Sequence, residues 1–393
     1  MRRALPGRYG KAAFTLVEIL VATSIIAVLV VGMFSIVNQA NTLWRFNKGR
    51  SEQFRNARLA FDVLTRQIGQ ATLNPYWDYV DSTGAPRTSA NESTFIPARY
   101  IRQSELRFIC GKADEVFGSE DDGSHPSHAV FFQAPLGFSS ATQFSGLENM
   151  LNTRGYFVEY GEDPTPRPSF VTTASPQRFR LVEMMEPAES LSIYKYTSGV
   201  DSAGKAKNAS YYTNPPLTNG SGFSQPASAG AFTGREWFTD TKAANSTLTS
   251  AGRPVHVLAE NVIALIILPK LSPQETTASS PILAPNYSYD STMTNTNPQI
   301  NSWSQLPPVL QVTMVAIDEE SAARMEASAA AQLLQKVNSL FSNSANFEKD
   351  LLAPPVGSST SLESYLISQK IAYRIFTSSI SIKAAKWSRE QAN

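Results

Sequence analysis

The feature that most constrains this chain is an apolar stretch from Phe14 to Val37 that contains one charged side chain, Glu18. As a helix, these 24 residues would extend over roughly 36 Å, enough to cross a hydrocarbon core about 30 Å thick. An ionised carboxylate inside a bilayer costs roughly 3 kcal/mol or more. The sequence therefore predicts a membrane-spanning helix with an acid of functional importance near its start. The alternative interpretation is a glutamate that reaches the membrane surface and has no role.

The residues before this stretch are basic, with Arg2, Arg3, Arg8 and Lys11 and no acid. A basic flank keeps its end of a membrane helix in the cytoplasm, so the rest of the chain is expected outside. No small-x-small site follows the apolar run, and cleavage as an ordinary secretory signal is not expected. A plain membrane anchor would explain the basic flank and the apolar run but not the acid.

The residues KAAFTLVEILVA, at 11–22, resemble the N-terminal processing motif of type IV pilins and of type II secretion pseudopilins. In that family, prepilin peptidase cuts on the cytoplasmic side just before the Phe, and the new N-terminus is methylated. The resemblance implies cleavage between Ala13 and Phe14, methylation of Phe14 and a role for Glu18 in assembly. The family usually has Gly before the cut, and Ala13 departs from that pattern.

The charges of this motif suggest why the family needs the acid. Cleavage would free an ammonium at Phe14, and in the family the acid pairs with the N-terminus of a neighbouring subunit. An unpaired buried charge is expensive, and a subunit at the wrong axial position would leave both charges unpaired. We interpret Glu18 as the residue that sets the axial register between subunits.

The helical pattern continues beyond Val37 as an amphipathic stripe. Its apolar positions keep the steps of one helix face: Leu43, Phe46, Phe54, Ala57, Phe61, Leu64 and Ile68. Asn74-Pro75 should end the helix, because proline has no N–H to donate. The predicted organisation is a basic leader at 1–13, a membrane or filament-core helix at 14–37, an amphipathic helix at 38–73 and an extracytoplasmic β-rich head at 74–393.

The head contains short runs of β-branched and aromatic residues bounded by turn-forming residues, which predict strands. These runs are Glu105–Cys110, His128–Pro135, Arg154–Asp163, Arg178–Glu186, Ser190–Tyr196, Leu258–Leu268, Leu310–Ile317 and Tyr373–Trp387. Leu258–Leu268 and Leu310–Ile317 are expected at the centre of a sheet. Residues 74–97, 200–234 and 272–304 are turn-rich and predict loops, and 318–352 predicts a second helix capped by Asp318 or Ser321.

The later blocks carry a second resemblance. LAENVIALIILP at 258–269 followed by LPPVLQVTMVAID at 306–318 resembles the J-type minor pseudopilins of type II secretion. Four blocks, RGYFVEYGED, RFRLVEMMEP, LAENVIALIILP and VTMVAIDEESAARM, resemble still more closely the pilin-like family called Verru_Chthon cassette protein C. The resemblance implies an α+β, pilin-like fold. In it, a long N-terminal helix, half membrane-spanning and half amphipathic, packs on an antiparallel β-sheet head with large loop insertions.

Charge and motif content argue against several functions. The leader holds four of the 34 basic residues and none of the 33 acidic ones, so the remainder has no basic excess that would predict nucleic-acid binding. A single cysteine, Cys110, excludes an internal disulfide and a thiolate metal cluster, and is expected to be a small buried apolar residue. No hydrolase, zinc-protease or phosphate-loop motif is found, so no catalytic residue, cofactor or metal is predicted, and the chain is not expected to be an enzyme.

One stretch, SEDDGSHPSH at 119–128, could supply ligands to a divalent cation. Its candidate ligands are Glu120, Asp121, Asp122, His125 and His128. It lacks the alternating ligand spacing of a calcium loop, and Pro126 interrupts the helix that would place both histidines on one face. A solvated loop is the preferred interpretation.

Together these features favour a minor pilin-like subunit, or pseudopilin, of a type II secretion or type IV filament-like assembly. The expected partners are prepilin peptidase, other pilin-like subunits, the inner-membrane assembly platform and membrane lipid. The expected location is the bacterial inner membrane, as a single-pass protein with a cytoplasmic N-terminus and a periplasmic head, or an extracytoplasmic filament. Two alternatives remain open: a minor pilin of an adhesive or DNA-uptake pilus, and a membrane-anchored periplasmic binding module or enzyme.

Overall fold

The structure, a computed structural model, describes residues 15–83, 87, 91–104, 106–118, 123–138, 150–162, 170, 177–186, 196–200, 206–208, 255–272, 283–292, 302–354 and 360–386, with side chains except at 41–51, 196–200 and 206–208. The chain forms two units, Met1–Gln53 and Phe54–Asn393, and each is described by itself.

Helix α1 extends over Leu16–Ile68. Its first part, Leu16–Ala40, is long and apolar enough to cross a membrane. Within the first unit, the side chains of this part are exposed on every face of the helix. Between residues 16 and 37 the polar side chains are Glu18 and three hydroxyls, so this part of the segment is suited to a lipid or helix-lined environment. The predicted helix is confirmed from Leu16 onward.

The second part of α1 buries the predicted apolar stripe within the head. The buried members are Phe54, Ala57, Phe61, Leu64 and Ile68. The charged residues of the opposite face, such as Arg55, Arg58 and Asp62, are exposed. The three-to-four-residue spacing therefore predicted the buried face correctly in this part of the helix.

Helix α1 ends at Ile68, five residues before the predicted end at Leu73. The backbone tightens at this point, because the N–H groups of Gln70 and Ala71 donate to carbonyls only three residues earlier. A Cβ on Gly69 would lie 3.3 Å from Ile380 Cγ2, so glycine permits the close approach of a strand where the helix ends.

The described strands are β1 (Tyr76–Val80), β2 (Arg99–Gln103), β3 (Ile109–Lys112), β4 (His128–Ala134), β5 (Asn152–Gly161), β6 (Arg178–Glu186), β7 (Tyr196–Val200), β8 (Ala206–Asn208), β9 (Val255–Glu260), β10 (Val262–Lys270), β11 (Tyr289–Asp290), β12 (Val309–Ile317) and β13 (Tyr373–Ser381). The described helices after α1 are α2 (Ala113–Phe117), α3 (Glu319–Arg324), α4 (Ala327–Ser339), α5 (Phe347–Leu351) and α6 (Leu362–Ser368). All pairs between these strands are antiparallel. The expectation of an α+β chain with an antiparallel head is confirmed.

A three-stranded sheet with the order β10-β12-β13 lies under the head part of α1. The helix follows β13 in the same direction: Arg374 lies over the ring of Phe54, and the Phe61 and Phe376 rings are 6.0 Å apart. Strand β12 is central, as predicted. The prediction that Leu258–Leu268 forms one central strand is wrong, because Asn261, with φ of 59°, divides it into β9 and β10, and β10 is an edge strand.

The larger sheet has six strands in the order β11-β3-β4-β5-β6-β9. Strands β4, β5 and β6 are buried over most of their length, and their bounds agree with the predicted runs within two residues. The predicted strand at 105–110 is displaced to β3, which contains the buried Cys110. The predicted strand Ser190–Tyr196 lies almost entirely outside the described residues, as do most of the predicted loops at 200–234 and 272–304.

Strands β1 and β2 form a separate hairpin that the sequence did not predict, because the run was interpreted as a turn-rich loop. One face of the hairpin carries Trp77, Tyr79 and Tyr100, and the ring of Tyr100 lies 5.4 Å from that of Trp77 and 4.9 Å from that of Tyr79. Cross-strand aromatic contacts of this kind stabilise a pair of strands, and the turn residues nearby concealed this pattern.

The predicted helix at 318–352 is divided into several pieces. Asp318 caps α3 as expected, because its side chain accepts a hydrogen bond from the Ser321 N–H. Met325 and Glu326 then adopt extended backbone, which ends α3 and starts α4. Helix α4 faces the core with Leu333 and Val337, which are buried.

Candidate membrane-inserted assembly site

The carboxylate of Glu18 lies in the first turn of α1 and bonds to the residue that caps the helix. Its Oε2 accepts hydrogen bonds from the backbone N–H of Thr15 at 2.9 Å and from Thr15 Oγ1 at 3.0 Å. In return, Thr15 Oγ1 accepts a hydrogen bond from the Glu18 N–H at 3.3 Å. This reciprocal arrangement is a capping box, in which the first orphan N–H groups of a helix are satisfied by side chains.

The capping box uses only one of the two carboxylate oxygens. Glu18 Oε1 makes no hydrogen bond to any residue that the structure describes. The acid is therefore held in a fixed orientation by Thr15 and keeps an oxygen that can accept a further donor. Sequence reasoning found the acid and missed its partner, although the spacing Thr-x-x-Glu is a recognisable capping signal.

The other polar side chains near the start of α1 are satisfied within the helix. Thr23 Oγ1 and Ser24 Oγ both donate to the carbonyl of Leu20, at 3.0 Å and 2.6 Å. These hydroxyls need no external partner, which lowers the cost of placing them in lipid. Glu18 is therefore the side chain in Leu16–Ala40 that carries charge and retains an unused acceptor.

The predicted processing residues, Ala13 and Phe14, lie outside the described residues. The site that the structure describes thus begins at Thr15, directly after the predicted mature N-terminus.

Comparison with known families bears on this segment. Residues 8–34 match the family described as the prokaryotic N-terminal methylation motif. No curated protein and no solved structure matches the chain. The matched range contains Ala13, Phe14, Glu18 and most of the apolar run, and it indicates a type IV pilin-like precursor that prepilin peptidase processes. The motif also implies assembly with other pilin-like subunits and agrees with anchoring through the apolar helix Leu16–Ala40.

The stretch proposed as a metal ligand set does not come together in the part that the structure describes. His125 faces Glu159, with 3.7 Å between Nε2 and Oε2, and its ring lies against Phe117 and Phe157. His128 is buried elsewhere. The described residues do not include Glu120, Asp121 and Asp122. Among the described residues there is no group of three or more metal-ligating side chains.

His128 instead connects two parts of the head. Its Nδ1 accepts a hydrogen bond from the Ile267 N–H of β10 at 3.1 Å, so the proton of the neutral ring lies on Nε2, 3.3 Å from the carbonyl oxygen of Phe341. Burial lowers the pKa of His128 to about 4, because a buried imidazolium would lose its hydration. The residue is therefore neutral near pH 7 and is part of the structure of the head.

A groove of about 570 Å³ lies beside the end of α1 and is lined by Gln70, Thr72, Asn74, Pro135, Met150, Leu151, Lys383 and Ala384. Among the described residues of this lining, Lys383 is the one ionisable side chain. These residues therefore do not include the paired acid and base, or nucleophile and base, that hydrolytic chemistry requires.

Proposed function

We propose that this chain is a minor subunit of a pilin-like filament, of the pseudopilin class that the J-type resemblance indicates, and that it has no enzymatic activity. It would be inserted through α1 after removal of the first 13 residues, with its head on the periplasmic side of the inner membrane. The match of residues 8–34 to the methylation motif is the observation that carries this proposal. The large head favours a minor subunit, because long insertions would crowd a lattice of many identical copies.

The mechanism assigns different roles to the two carboxylate oxygens of Glu18. Oε2 remains bonded to Thr15 and fixes the rotamer, while Oε1 accepts a hydrogen bond from the methylated ammonium of a neighbouring subunit. A charge-assisted bond of this kind is stronger than a neutral one. Loss of one partner of a buried ion pair costs about 3–5 kcal/mol, because the other charge is left without compensation.

Substitution of Glu18 by Gln tests this mechanism, because the amide keeps the shape and removes the charge. We expect Glu18→Gln to leave removal of the leader intact and to reduce incorporation into filaments about 100-fold, in line with a loss of roughly 3 kcal/mol. Incorporation is measured by immunoblotting of sheared or cross-linked filaments, and processing is measured by mass spectrometry of the N-terminus, which should be methylated Phe14.

Two control variants separate the ion pair from helix stability. Thr23→Val removes a hydroxyl of the same helix that bonds only to Leu20, and it should assemble normally. Thr15→Ala removes the cap, at a cost of about 1 kcal/mol, and should reduce incorporation by more than the roughly fivefold that this cost alone would give, but by less than Glu18→Gln does. Normal incorporation of Glu18→Gln, or an unprocessed chain in the membrane, would contradict the proposal and favour a simple anchor.

A further inference from the structure

The three-stranded sheet has two outer edges, and the edge formed by β10 is occupied by other parts of the chain. The Leu265 N–H donates to Ser127 Oγ at 2.9 Å, and the Ile267 N–H donates to His128 Nδ1 at 3.1 Å. The Pro269 carbonyl accepts a hydrogen bond from the Leu283 N–H. Outward-pointing backbone groups of Leu265, Ile267 and Pro269 are therefore already bonded.

The edge formed by β13 is different. The Ile382 N–H donates to Pro308, and the Ala372 carbonyl accepts from Asp318, so even-numbered residues here point their backbone groups towards β12 and its flanks. Because these groups alternate along a strand, Ile375, Thr377 and Ser379 point theirs away from the sheet. The side-chain bond between Thr377 and Thr313 agrees with this register, since residues that are opposite but not hydrogen-bonded lie closest.

These outward groups have no hydrogen bond to any residue that the structure describes. Thr377, Ser379 and Ser381 are exposed, and the first hydrogen bond of this edge to another described residue comes at Lys383, whose N–H donates to the Gly69 carbonyl. The strand also lacks the usual protections of an edge: β13 contains no proline, lysine or bulge, whereas the β9 edge of the other sheet has a bulge. An unprotected edge of nine residues is a template for another strand.

We propose that the outer edge of β13 binds an extended segment of another pilin-like subunit, different from this chain, which adds a fourth strand to the sheet. The proposal rests on the function proposed above. A row of alternating N–H and C=O groups selects an extended backbone as its ligand. Arg374, which has no acidic partner among the described residues, favours a segment that carries a carboxylate at the adjoining position.

A second copy of this chain fits the edge less well. The β10 edge of such a copy is occupied, its β9 edge is bulged and its β11 edge is only two residues long, so the edge that best accepts a strand is its own β13. That pairing uses the same surface on both copies and closes after two, whereas a filament needs a contact that continues to a further subunit.

Proline at an outward position tests the proposal, because it removes an outward N–H without removing a bond to β12. In the full chain, Ser379→Pro should shift the Tm by less than about 2 °C, because no hydrogen bond to β12 is lost. It should also reduce binding of the partner segment at least tenfold. Ser379→Ala keeps the N–H and serves as the matched control, which should bind as the unmodified chain does.

Binding is read with a photo-cross-linking amino acid in place of Ser381, in complexes extracted from membranes with detergent. The expected adduct maps by mass spectrometry to an acidic, extended segment of a different pilin-like subunit and is lost in Ser379→Pro. An adduct with a second copy of this chain, no adduct, or an adduct that persists in Ser379→Pro would overturn the proposal.

Residue-resolved hydrogen exchange provides an independent readout that needs no substitution. In the isolated full chain, the amides of Ile375, Thr377 and Ser379 should exchange fast, and they should slow at least tenfold in the complex. Unchanged exchange would refute strand addition. Failure of the underlying function is distinguishable, because it would appear as normal filament incorporation of Glu18→Gln, whatever the exchange of β13.

Discussion

Acidification should destabilise the head through one residue, His128. Protonation of its ring would remove the acceptor that bonds the Ile267 N–H of β10 and would place an unhydrated positive charge among buried residues such as Tyr287, whose ring lies 4.7 Å away. The edge of β10 would lose part of its cover at the same time. A lower pH should therefore reduce the free energy of unfolding of the head.

The magnitude follows from two pKa values. The imidazole has a pKa of 6.5 when free and of about 4 when buried at His128. Because the unfolded chain binds the proton more tightly, the stability from this residue is fully present above pH 6.5 and is lost as the pH falls towards 4. At about 1.4 kcal/mol per pKa unit, the loss between these two values is roughly 3 kcal/mol.

Urea unfolding of the detergent-solubilised chain between pH 7 and pH 4 measures this loss. His128→Gln should be less stable at pH 7 by about 1–3 kcal/mol, because one buried hydrogen bond is lost. The free energy of unfolding of this variant should also depend less steeply on pH, by an amount that corresponds to the uptake of about one proton. His256→Gln, at an exposed position of β9, is the matched control and should keep the original slope.

The other ionisable groups of the chain contribute equally to the pH dependence of both proteins. The comparison therefore depends on the difference in slope between the unmodified chain and His128→Gln. Equal slopes between pH 6.5 and pH 4 would refute the assignment of the acid sensitivity to His128.

Two further predictions concern packing inside the head, and unfolding in urea at pH 7 checks both. Gly155→Ala should lower the free energy of unfolding by about 3 kcal/mol, because its Cβ would lie 2.2 Å from the ring of Phe131; combination with Phe131→Leu should cost less than the sum of the two changes. Tyr156→Phe should lower the free energy of unfolding by about 1–3 kcal/mol, because the hydroxyl lies within hydrogen-bond distance of Gln67 of α1 and Glu183 of β6. A change near zero would show that these hydrogen bonds do not stabilise the packing of α1 on the sheet.

The sequence predicted correctly those helices and strands whose bounds and buried faces follow from the spacing of nearby residues. The face of α1 that is buried in the head follows from the spacing of Phe54, Phe61 and Ile68, and the bounds of β6 coincide with the predicted run Arg178–Glu186. Both have strong periodicity or a continuous apolar run with clear boundaries. The cap of α3 by Asp318 was also predictable, because a capping side chain acts on its own next turn.

Tertiary contacts decided what the sequence could not predict. Leu258–Leu268 has the composition of a central strand, yet β10 is an edge whose backbone groups bond to Ser127 and His128 from a distant part of the chain. The same two residues belonged to a stretch interpreted as a solvated loop. Their burial follows from the position of β4 beside β10, which no local pattern contains.

The candidate site was likewise only partly predictable from the sequence. The identity of Glu18 was predictable because a single charge in an apolar run is conspicuous, whereas its bond to Thr15 depends on where the helix begins. Two interpretations of this acid, as a helix cap and as an assembly partner, are compatible because each uses a different oxygen.

The cap also has a consequence for assembly. A carboxylate already oriented by Thr15 loses less conformational freedom when an ammonium binds it, so more of the Coulomb attraction contributes to the affinity between subunits. On this argument, Thr15→Ala should weaken assembly by more than its effect on helix stability alone if the neighbour's ammonium binds Oε1, and by no more than that effect if Glu18 only caps the helix.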